Sequence, residues 1–204
     1  MRLYLVRHGE TQYNAVGRFQ GWAEIPLNDN GIQQAARLAK RMEQYSLDAI
    51  YTSDLRRTVM TATVVAAQSN VPLIHEPLFR ERNPGDLTDQ PYETGMEFFE
   101  NESYHPPNGE STDVFRNRVA EATNFLIKEE GDTDRQIAVV THGMFCSAFA
   151  RDQLMIDPFE DPDFLWPNTC LTVCDFIDGK WQMRFLADAT HLDGMDQPSH
   201  ATGA

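Results

Sequence analysis

The 204-residue sequence is poor in basic side chains. It contains 17 lysine and arginine residues against 31 aspartate and glutamate residues, and its formal charge is −14. Nucleic acids and anionic membranes are bound through concentrated positive charge, so we predict neither as a partner. A site for a small anion in such an acidic chain must gather a few arginines locally.

Long apolar runs and paired cysteines are also missing. No stretch approaches the roughly 18 apolar residues of a membrane span, and the N-terminus lacks the pattern of a secretory signal, so we expect a cytoplasmic protein. The three cysteines, Cys146, Cys170 and Cys174, form no Cys-x-x-Cys pair. Cys170 and Cys174 fall on one face of a predicted strand, and we expect buried free thiols.

Strand and helix patterns alternate along most of the chain, which has the length of one α/β domain. Strands are predicted at 1–6, 49–52, 71–75, 137–140, 171–176 and 181–186, and helices at 32–42, about 53–68, 111–130 and 144–155. Asp178-Gly179 predicts a tight turn between the last two strands. The pattern favours a three-layer α/β/α sandwich with a mostly parallel central sheet and a terminal hairpin.

Residues 77–110 interrupt this alternation with proline, glycine and aromatic side chains. Connections of this length are often functional, so we predict a lid-like insertion with a short helix around 92–101. Residues 1–193 are interpreted as a single domain. Residues 194–204 are small and polar, and we expect a flexible tail.

Two predicted strands end in the same dipeptide, giving Arg7-His8-Gly9 and Thr141-His142-Gly143. If the strands are parallel neighbours, both histidines lie at the sheet edge where α/β proteins bind ligands. Arginine matches phosphate oxygens, and histidine acts as base or nucleophile near neutral pH. The first tripeptide alone also fits a structural role, in which His8 caps the strand and Arg7 pairs with Glu10. The repeated dipeptide favours an anion site.

Further motifs follow in a fixed order up to about residue 145. They are Leu5-Val6-Arg7-His8-Gly9-Glu10-Thr11 with Asn14, Arg18-Phe19-Gln20-Gly21-Trp22, Ser53-Asp54-Leu55-Arg56-Arg57-Thr58 with Thr61, Arg80-Glu81-Arg82 with Gly85, Gly109-Glu110-Ser111, and Thr141-His142-Gly143. Together they resemble the signature of the histidine phosphatase superfamily, in its phosphoglycerate mutase-like branch.

The resemblance implies that His8 is a nucleophile that becomes phosphohistidine, with Glu81 as the general acid. It implies that Arg7, Arg57 and His142 hold the phosphoryl oxygens. Further substrate contacts are expected from Asn14, Gln20, Gly21, Arg82 and Gly143. Neither a metal nor another cofactor is expected. From its sequence neighbours alone, Glu81 also fits a surface charge cluster with Arg80 and Arg82.

The activity within this family is predicted from the insertion. Residues 87–109 contain no lysine or arginine, whereas mutases of the family usually carry a basic insertion. We therefore predict a phosphomonoester hydrolase for a small phosphorylated metabolite, acting as a monomer or homodimer. The alternatives are mutase-type phosphoryl transfer and a non-catalytic phospholigand-binding module. Aromatic residues such as Tyr92 and Phe98 either face the site or fasten the insertion to the body.

Other polar residues are given weaker interpretations. Glu10 and Thr11 are expected to order the loop after the first strand, and Arg56 to be solvated. His75, His105 and His200 have no partner spacing and are interpreted as incidental. His191 is assigned no role.

Overall fold

A computed structural model of the protein describes residues 1–156 and 166–195, and within them the core is a six-stranded sheet. Its strands are β1 (Arg2–Arg7), β2 (Ala49–Thr52), β3 (Leu73–His75), β4 (Gln136–Thr141), β5 (Leu171–Ile177) and β6 (Lys180–Asp188). The spatial order is β3-β2-β4-β1-β5-β6. The strands from β3 to β1 are parallel, while β5 runs antiparallel to both β1 and β6. The predicted mostly parallel sheet is confirmed.

Helices cover both faces of this sheet. They are α1 (Gln12–Ala15), α2 (Asp29–Met42), α3 (Arg56–Ser69), α4 (Glu97–Glu100), α5 (Thr112–Glu130) and α6 (Gly143–Gln153). In β1, Leu3 and Leu5 belong to the core formed with α5 and α6, while Tyr4 and Val6 belong to the core formed with α2 and α3. Because successive strand side chains point to opposite faces, both faces must be apolar. This produces the predicted three layers.

The last two strands, β5 and β6, form the expected hairpin. Asp178 and Gly179 have φ angles of 51° and 75°, the left-handed pair that a two-residue turn between twisted strands requires. The three cysteines are free and buried, and all lie in the core on the α5 and α6 side. The expectation of buried thiols on one face is confirmed.

The first residues of α3 and β3 differ from the sequence prediction. Helix α3 begins at Arg56, and its N-cap Leu55 makes no side-chain capping bond. Ser53 instead contacts His142, and Asp54 forms an ion pair with Arg80 at 2.5 Å, which lowers the pKa of the Asp54 carboxyl. The strand predicted from residue 71 begins at Leu73, after Pro72, at the edge of the sheet.

The insertion is built from short pieces. They are the 3-10 turns Pro77–Phe79, Gly85–Leu87 and Tyr92–Thr94, followed by α4. The short helix predicted around 92–101 is α4 at Glu97–Glu100, and the 3-10 turn Tyr92–Thr94 precedes it. Tyr92 and Phe98 pack on Phe19, and main-chain hydrogen bonds tie the insertion to the segment after α1.

No helix within residues 1–156 or 166–195 is long and apolar enough to cross a membrane. Residues 196–204, which include His200 and most of the predicted tail, lie outside the described residues.

Candidate active site

Two adjacent strands deliver the two histidines of the site. Strands β1 and β4 are parallel neighbours, with Arg7 paired to Thr141, so His8 and His142 follow at the same edge of the sheet. Their ring centroids are 5.3 Å apart, and both side chains are buried. The first-strand loop is ordered by Glu10, whose carboxylate accepts hydrogen bonds from Asn28 and Asn30.

The hydrogen bonds of His8 show which ring nitrogen carries the lone pair. His8 Nδ1 lies 2.6 Å from the carbonyl oxygen of Gly9, and because a carbonyl only accepts, Nδ1 carries the proton. The lone pair is therefore on Nε2, which accepts a hydrogen bond from Arg57 Nε at 3.2 Å. Burial and the charges of Arg57 and Arg7 place the pKa of His8 well below 6.5. A neutral imidazole with a directed lone pair is a competent nucleophile.

Arg57 and Arg7 supply positive charge beside this nitrogen. Arg57 lies in the first turn of α3, and its Nη1 and Nη2 donate to the carbonyl oxygens of Ala23 (3.2 Å) and Gly21 (2.8 Å). Burial lowers the pKa of Arg57 to about 10, so the side chain stays charged at neutral pH. Arg7 is equally buried and donates to the carbonyl oxygen of Trp166. Two fixed cations thus flank His8.

His142 is oriented by Ser53. The hydroxyl of Ser53 accepts from Leu55 N and lies 3.0 Å from His142 Nε2, to which it can donate. When the hydroxyl donates, a neutral His142 carries its proton on Nδ1, a buried atom with no hydrogen-bond partner among the described residues. Burial and the charge of Arg57 lower the pKa of His142 well below 6.5. In that tautomer Nδ1–H is available to donate to an anion.

Glu81 is a buried carboxyl group, which does not fit the alternative of a surface charge cluster. Its Oε1 accepts from Arg82 N at 2.9 Å, and its Oε2 accepts from Met144 N in the first turn of α6 at 3.2 Å. Its carbonyl oxygen accepts from Trp22 Nε1 and Arg118 Nη2. Burial raises the pKa of Glu81 above its usual 4.5. The side chain is thus held in place and favours protonation.

One small cavity joins these groups. It is lined by His8, Phe19, Gln20, Gly21, Arg57, Glu81, Arg82, Pro84, Phe98 and Met144. Its volume of about 10 Å³ corresponds to roughly one water molecule. The other residues predicted for the site, Arg7, Asn14, His142 and Gly143, are not among those that line it.

Gln20 and Asn14 are both fixed by Thr11 near this cavity. The Thr11 hydroxyl lies 2.8 Å from Gln20 Oε1 and 3.1 Å from Asn14 Oδ1, and Asn14 also forms a hydrogen bond with the side chain of Tyr92.

Across residues 1–156 and 166–195, no three histidine, cysteine, aspartate or glutamate side chains are grouped as a metal ion would require.

Comparison with known proteins assigns this arrangement to a family. A model described as histidine phosphatase superfamily (branch 1) matches residues 3–189. The chain belongs to the histidine phosphatase superfamily. It is 33% identical to a metal-independent phosphoserine phosphatase of Arabidopsis thaliana, over 95% of this chain and 84% of that protein. It is 29% identical to a probable phosphoglycerate mutase, GpmB, of Serratia proteamaculans, over 95% of each.

The fold of the chain also matches a solved structure. The YhfR protein of Bacillus stearothermophilus superposes with a TM-score of 0.84 at 28% identity, and the alignment covers 94% of this chain and 99% of that one. The mostly parallel sheet with helices on both faces is thus shared.

Arg82 holds the insertion together. Its Nε, Nη1 and Nη2 donate to the carbonyl oxygens of Glu110, Phe98 and Tyr104, each at 3.0 to 3.1 Å. The guanidinium also lies 4.1 Å from the centroid of the Phe98 ring. Arg82 therefore fastens the segment that closes the cavity, in addition to lining it.

Several residues that support the site have no clear sequence signal. Arg118, on α5, donates to the carbonyl oxygens of Leu78, Arg80 and Glu81 and forms an ion pair with Glu110. Asn168 and Thr169 donate to the carbonyl oxygen of His8. The Gly109-Glu110-Ser111 motif contains the acid that Arg118 pairs with, but sequence spacing does not reveal the pair.

Proposed function

We propose that the protein is a phosphomonoester hydrolase that acts through phosphohistidine on His8, with Glu81 as general acid and base. The observation that carries the proposal is the pairing of two groups across one cavity. The His8 Nε2 lone pair is directed by the Nδ1–H bond to Gly9, and burial raises the pKa of Glu81. The first group supplies a nucleophile and the second a proton donor at the same pH.

In the first step, His8 Nε2 attacks phosphorus and the ester P–O bond breaks. Glu81 donates its proton to the departing oxygen, which leaves as an alcohol. The imidazole becomes cationic, and its Nδ1–H remains bonded to the Gly9 carbonyl oxygen. Arg7, Arg57 and His142 Nδ1–H would stabilise charge on the phosphoryl oxygens, with Asn14 and Gln20 supporting the loop beside them.

In the second step, the Glu81 carboxylate takes a proton from water, and the water oxygen attacks phosphorus. The P–N bond breaks, its electron pair returns to His8 Nε2, and inorganic phosphate leaves. Both residues regain their starting protonation states, so the cycle is balanced without another reactant. The same carboxyl group acts first as acid and then as base.

Hydrolysis is favoured over phosphoryl transfer by the insertion. Residues 87–109 contain no lysine or arginine, and their main contribution to the cavity is the ring of Phe98. A second phosphate group on a bisphosphate would find no cation there. The substrate class that fits is a small organic phosphate, and the Arabidopsis relative's name makes phosphoserine the first compound to test.

The test compares the wild-type protein with His8→Ala, Glu81→Gln and a control, His75→Ala. His75 is an exposed histidine at the edge of the sheet, far along the strand order from β1. Each protein is incubated with an aryl phosphate, phosphoserine and 3-phosphoglycerate, and acid-labile phosphoenzyme is trapped. We expect turnover and phosphoenzyme in wild type and His75→Ala, and neither in His8→Ala.

Glu81→Gln separates the two steps. The phenolate of an aryl phosphate leaves with little protonation, so we expect one rapid release of the phenol. Phosphoenzyme should then accumulate, because the water that would hydrolyse it is no longer activated. Loss of a general acid or base typically costs about 10²- to 10⁴-fold. Unchanged turnover in His8→Ala would contradict the mechanism. Bisphosphate-dependent isomerisation of 3-phosphoglycerate with negligible hydrolysis would favour a mutase, and tight vanadate binding without any turnover would favour a binding module.

A further inference from the structure

The main chain of His8 is held by a turn that lies far away in the sequence. Thr169 N donates to the carbonyl oxygens of Arg7 (3.0 Å) and His8 (3.2 Å), and Asn168 Nδ2 donates to the His8 carbonyl oxygen at 3.0 Å. On the other side, His8 N donates to the Thr141 carbonyl oxygen. The orientation of the imidazole therefore depends on the 168–169 turn as well as on the sheet.

Thr169 has an unusual backbone conformation. Its φ angle is 58°, in the left-handed region that β-branched residues rarely adopt, and the residue is fully buried. Such conformations persist only where the surroundings determine them, and they concentrate at functional sites. The side-chain hydroxyl of Thr169 shows what fixes it, since it lies 3.1 Å from His191 Nε2.

The partners of His191 define the direction of this hydrogen bond. Arg41 Nη1 lies 3.1 Å from His191 Nδ1, and because a guanidinium only donates, Nδ1 accepts. A neutral His191 must then carry its proton on Nε2 and donate it to the Thr169 hydroxyl. Burial and the charge of Arg41 lower the pKa of His191 to about 4, so the ring is neutral near pH 7.

Arg41 is itself fixed by the end of β6. It forms an ion pair with the Asp188 carboxylate through both Nη atoms, at 2.8 Å and 3.2 Å. The Asp188 carboxylate also accepts from Thr190 N at 2.8 Å, which orders the 3-10 turn Thr190–Leu192. A chain of directed hydrogen bonds thus runs from Asp188 through Arg41 and His191 to Thr169.

We propose that His191 is a positioning residue for the nucleophile, acting through the Thr169 hydroxyl and the Thr169 N–H bonds to the carbonyl oxygens of Arg7 and His8. The inference rests on the proposed function of His8. His191 touches neither the cavity nor the reacting atoms. Its effect is on the orientation of the His8 ring and hence on the chemical step.

The test compares His191→Leu, which removes both hydrogen bonds, with His191→Gln, whose amide can accept from Arg41 and donate to Thr169. Misplacement of a reacting group by about 1 Å can cost 10²-fold, so we expect His191→Leu to lower kcat and the rate of phosphoenzyme formation by about tenfold to hundredfold. KM should change little, because Arg7 and Arg57 still bind phosphate. His191→Gln should recover most of the lost kcat.

A double-mutant cycle locates the effect at Thr169. Thr169→Val keeps the side-chain shape and removes the hydroxyl, so it should lower kcat like His191→Leu, and the double variant should be no worse than either single variant. The matched control is Leu192→Ala. Leu192 is buried beside His191 in the same turn, so this change should lower Tm and leave kcat unaltered at temperatures where the protein is folded.

Wild-type kcat in folded His191→Leu, equal losses in the Leu and Gln variants, or additive effects in the cycle would each overturn the proposal. A readout without turnover separates this failure from failure of the hydrolase assignment. The ¹⁵N chemical shifts of the His8 ring should change in His191→Leu and Thr169→Val and stay unchanged in Leu192→Ala. The hydrolase assignment is tested by turnover of the wild-type protein alone.

Discussion

His8 and Glu81 have pKa values displaced in opposite directions by the same cause. Burial disfavours the charged form of each group, so it lowers the pKa of the imidazole and raises that of the carboxyl. Arg57 and Arg7 add to the effect on His8, whereas they oppose it on Glu81. Burial thus favours the neutral form of both groups, which is the combination of nucleophile and acid that the proposed first step requires.

This arrangement predicts a bell-shaped pH profile for kcat/KM. Activity requires unprotonated His8, whose pKa lies well below 6.5, so the fall on the acid side should occur below pH 6.5. Activity also requires protonated Glu81, whose pKa is raised above 4.5, so the fall on the alkaline side should begin above pH 4.5. Initial rates across pH 4 to 9 check both limbs, with Glu81→Gln as the variant that should lose the alkaline limb. An acid limb above pH 6.5 would show that His8 is not the neutral nucleophile described.

At the scale of the elements, the insertion and the loop after α1 form one closing unit. Gly21 has a φ angle of 47°, and a Cβ there would lie 2.1 Å from Pro84 Cδ. The carbonyl oxygen of the same glycine accepts from Arg57. Contact with the insertion and placement of Arg57 therefore meet at Gly21. The cavity that Gly21 and Pro84 line holds roughly one water molecule.

We predict that Gly21→Ala lowers kcat/KM and weakens vanadate binding, since the added Cβ displaces Pro84 and with it the carbonyl oxygen that holds Arg57. The matched control is Gly179→Ala, at a φ angle of 75° with no atom within 4 Å of the new Cβ. Both changes carry a left-handed strain of about 1–2 kcal/mol, measurable by denaturant unfolding. Only Gly21→Ala should alter kinetics, and equal activity losses in the two variants would contradict this explanation.

The central strands β1, β2 and β4 could be predicted from the sequence because both faces of the sheet are covered there and each of these strands is a mostly apolar run. The hairpin turn followed from Asp178-Gly179 alone. The insertion could not be predicted in the same way, since its pieces are held by distant partners. Arg82 donates to carbonyl oxygens 16 to 28 residues away, and Phe19 supplies the surface on which Tyr92 packs.

The same difference separates the site residues that could be predicted from the sequence from those that could not. His8 and His142 could be placed together because each follows a strand, and Arg57 because it begins a helix at the same edge. Arg118 and Thr169 could not, because their contacts with the Glu81 and His8 carbonyl oxygens join residues 37 and about 160 positions apart. The boundary of α3 was missed because Ser53, a good capping residue, orients His142 instead.

For the whole molecule, the net negative charge repels the proposed anionic substrate. The chain carries a formal charge of −14, whereas the cations beside His8 are buried. Salt screens interactions between exposed charges over about 10 Å at 0.1 M, and it screens buried groups much less. Salt therefore weakens the long-range repulsion of a phosphate dianion more than it weakens the binding of that dianion to the buried cations.

We predict that kcat/KM rises with ionic strength, by roughly twofold to tenfold for a substrate that carries a further carboxylate. Steady-state rates in increasing concentrations of an inert 1:1 salt measure this, and 3-phosphoglycerate, which carries a carboxylate besides its phosphate, should respond more strongly than an aryl phosphate of lower charge. A steady decrease would mean that a positive field around the cavity mouth dominates the approach of the substrate.

Because of its position in the sheet, β1 is synthesised long before the strands with which it pairs. This strand precedes the other five in the sequence, yet its neighbours are β4 and β5, which begin at residues 136 and 171. Pairing over such separations is slow, and the strand has no partner until β4 has been synthesised. His8 is thus translated well before the strands that orient it. A nascent chain that ends before β4 holds His8 but has no sheet in which to orient it.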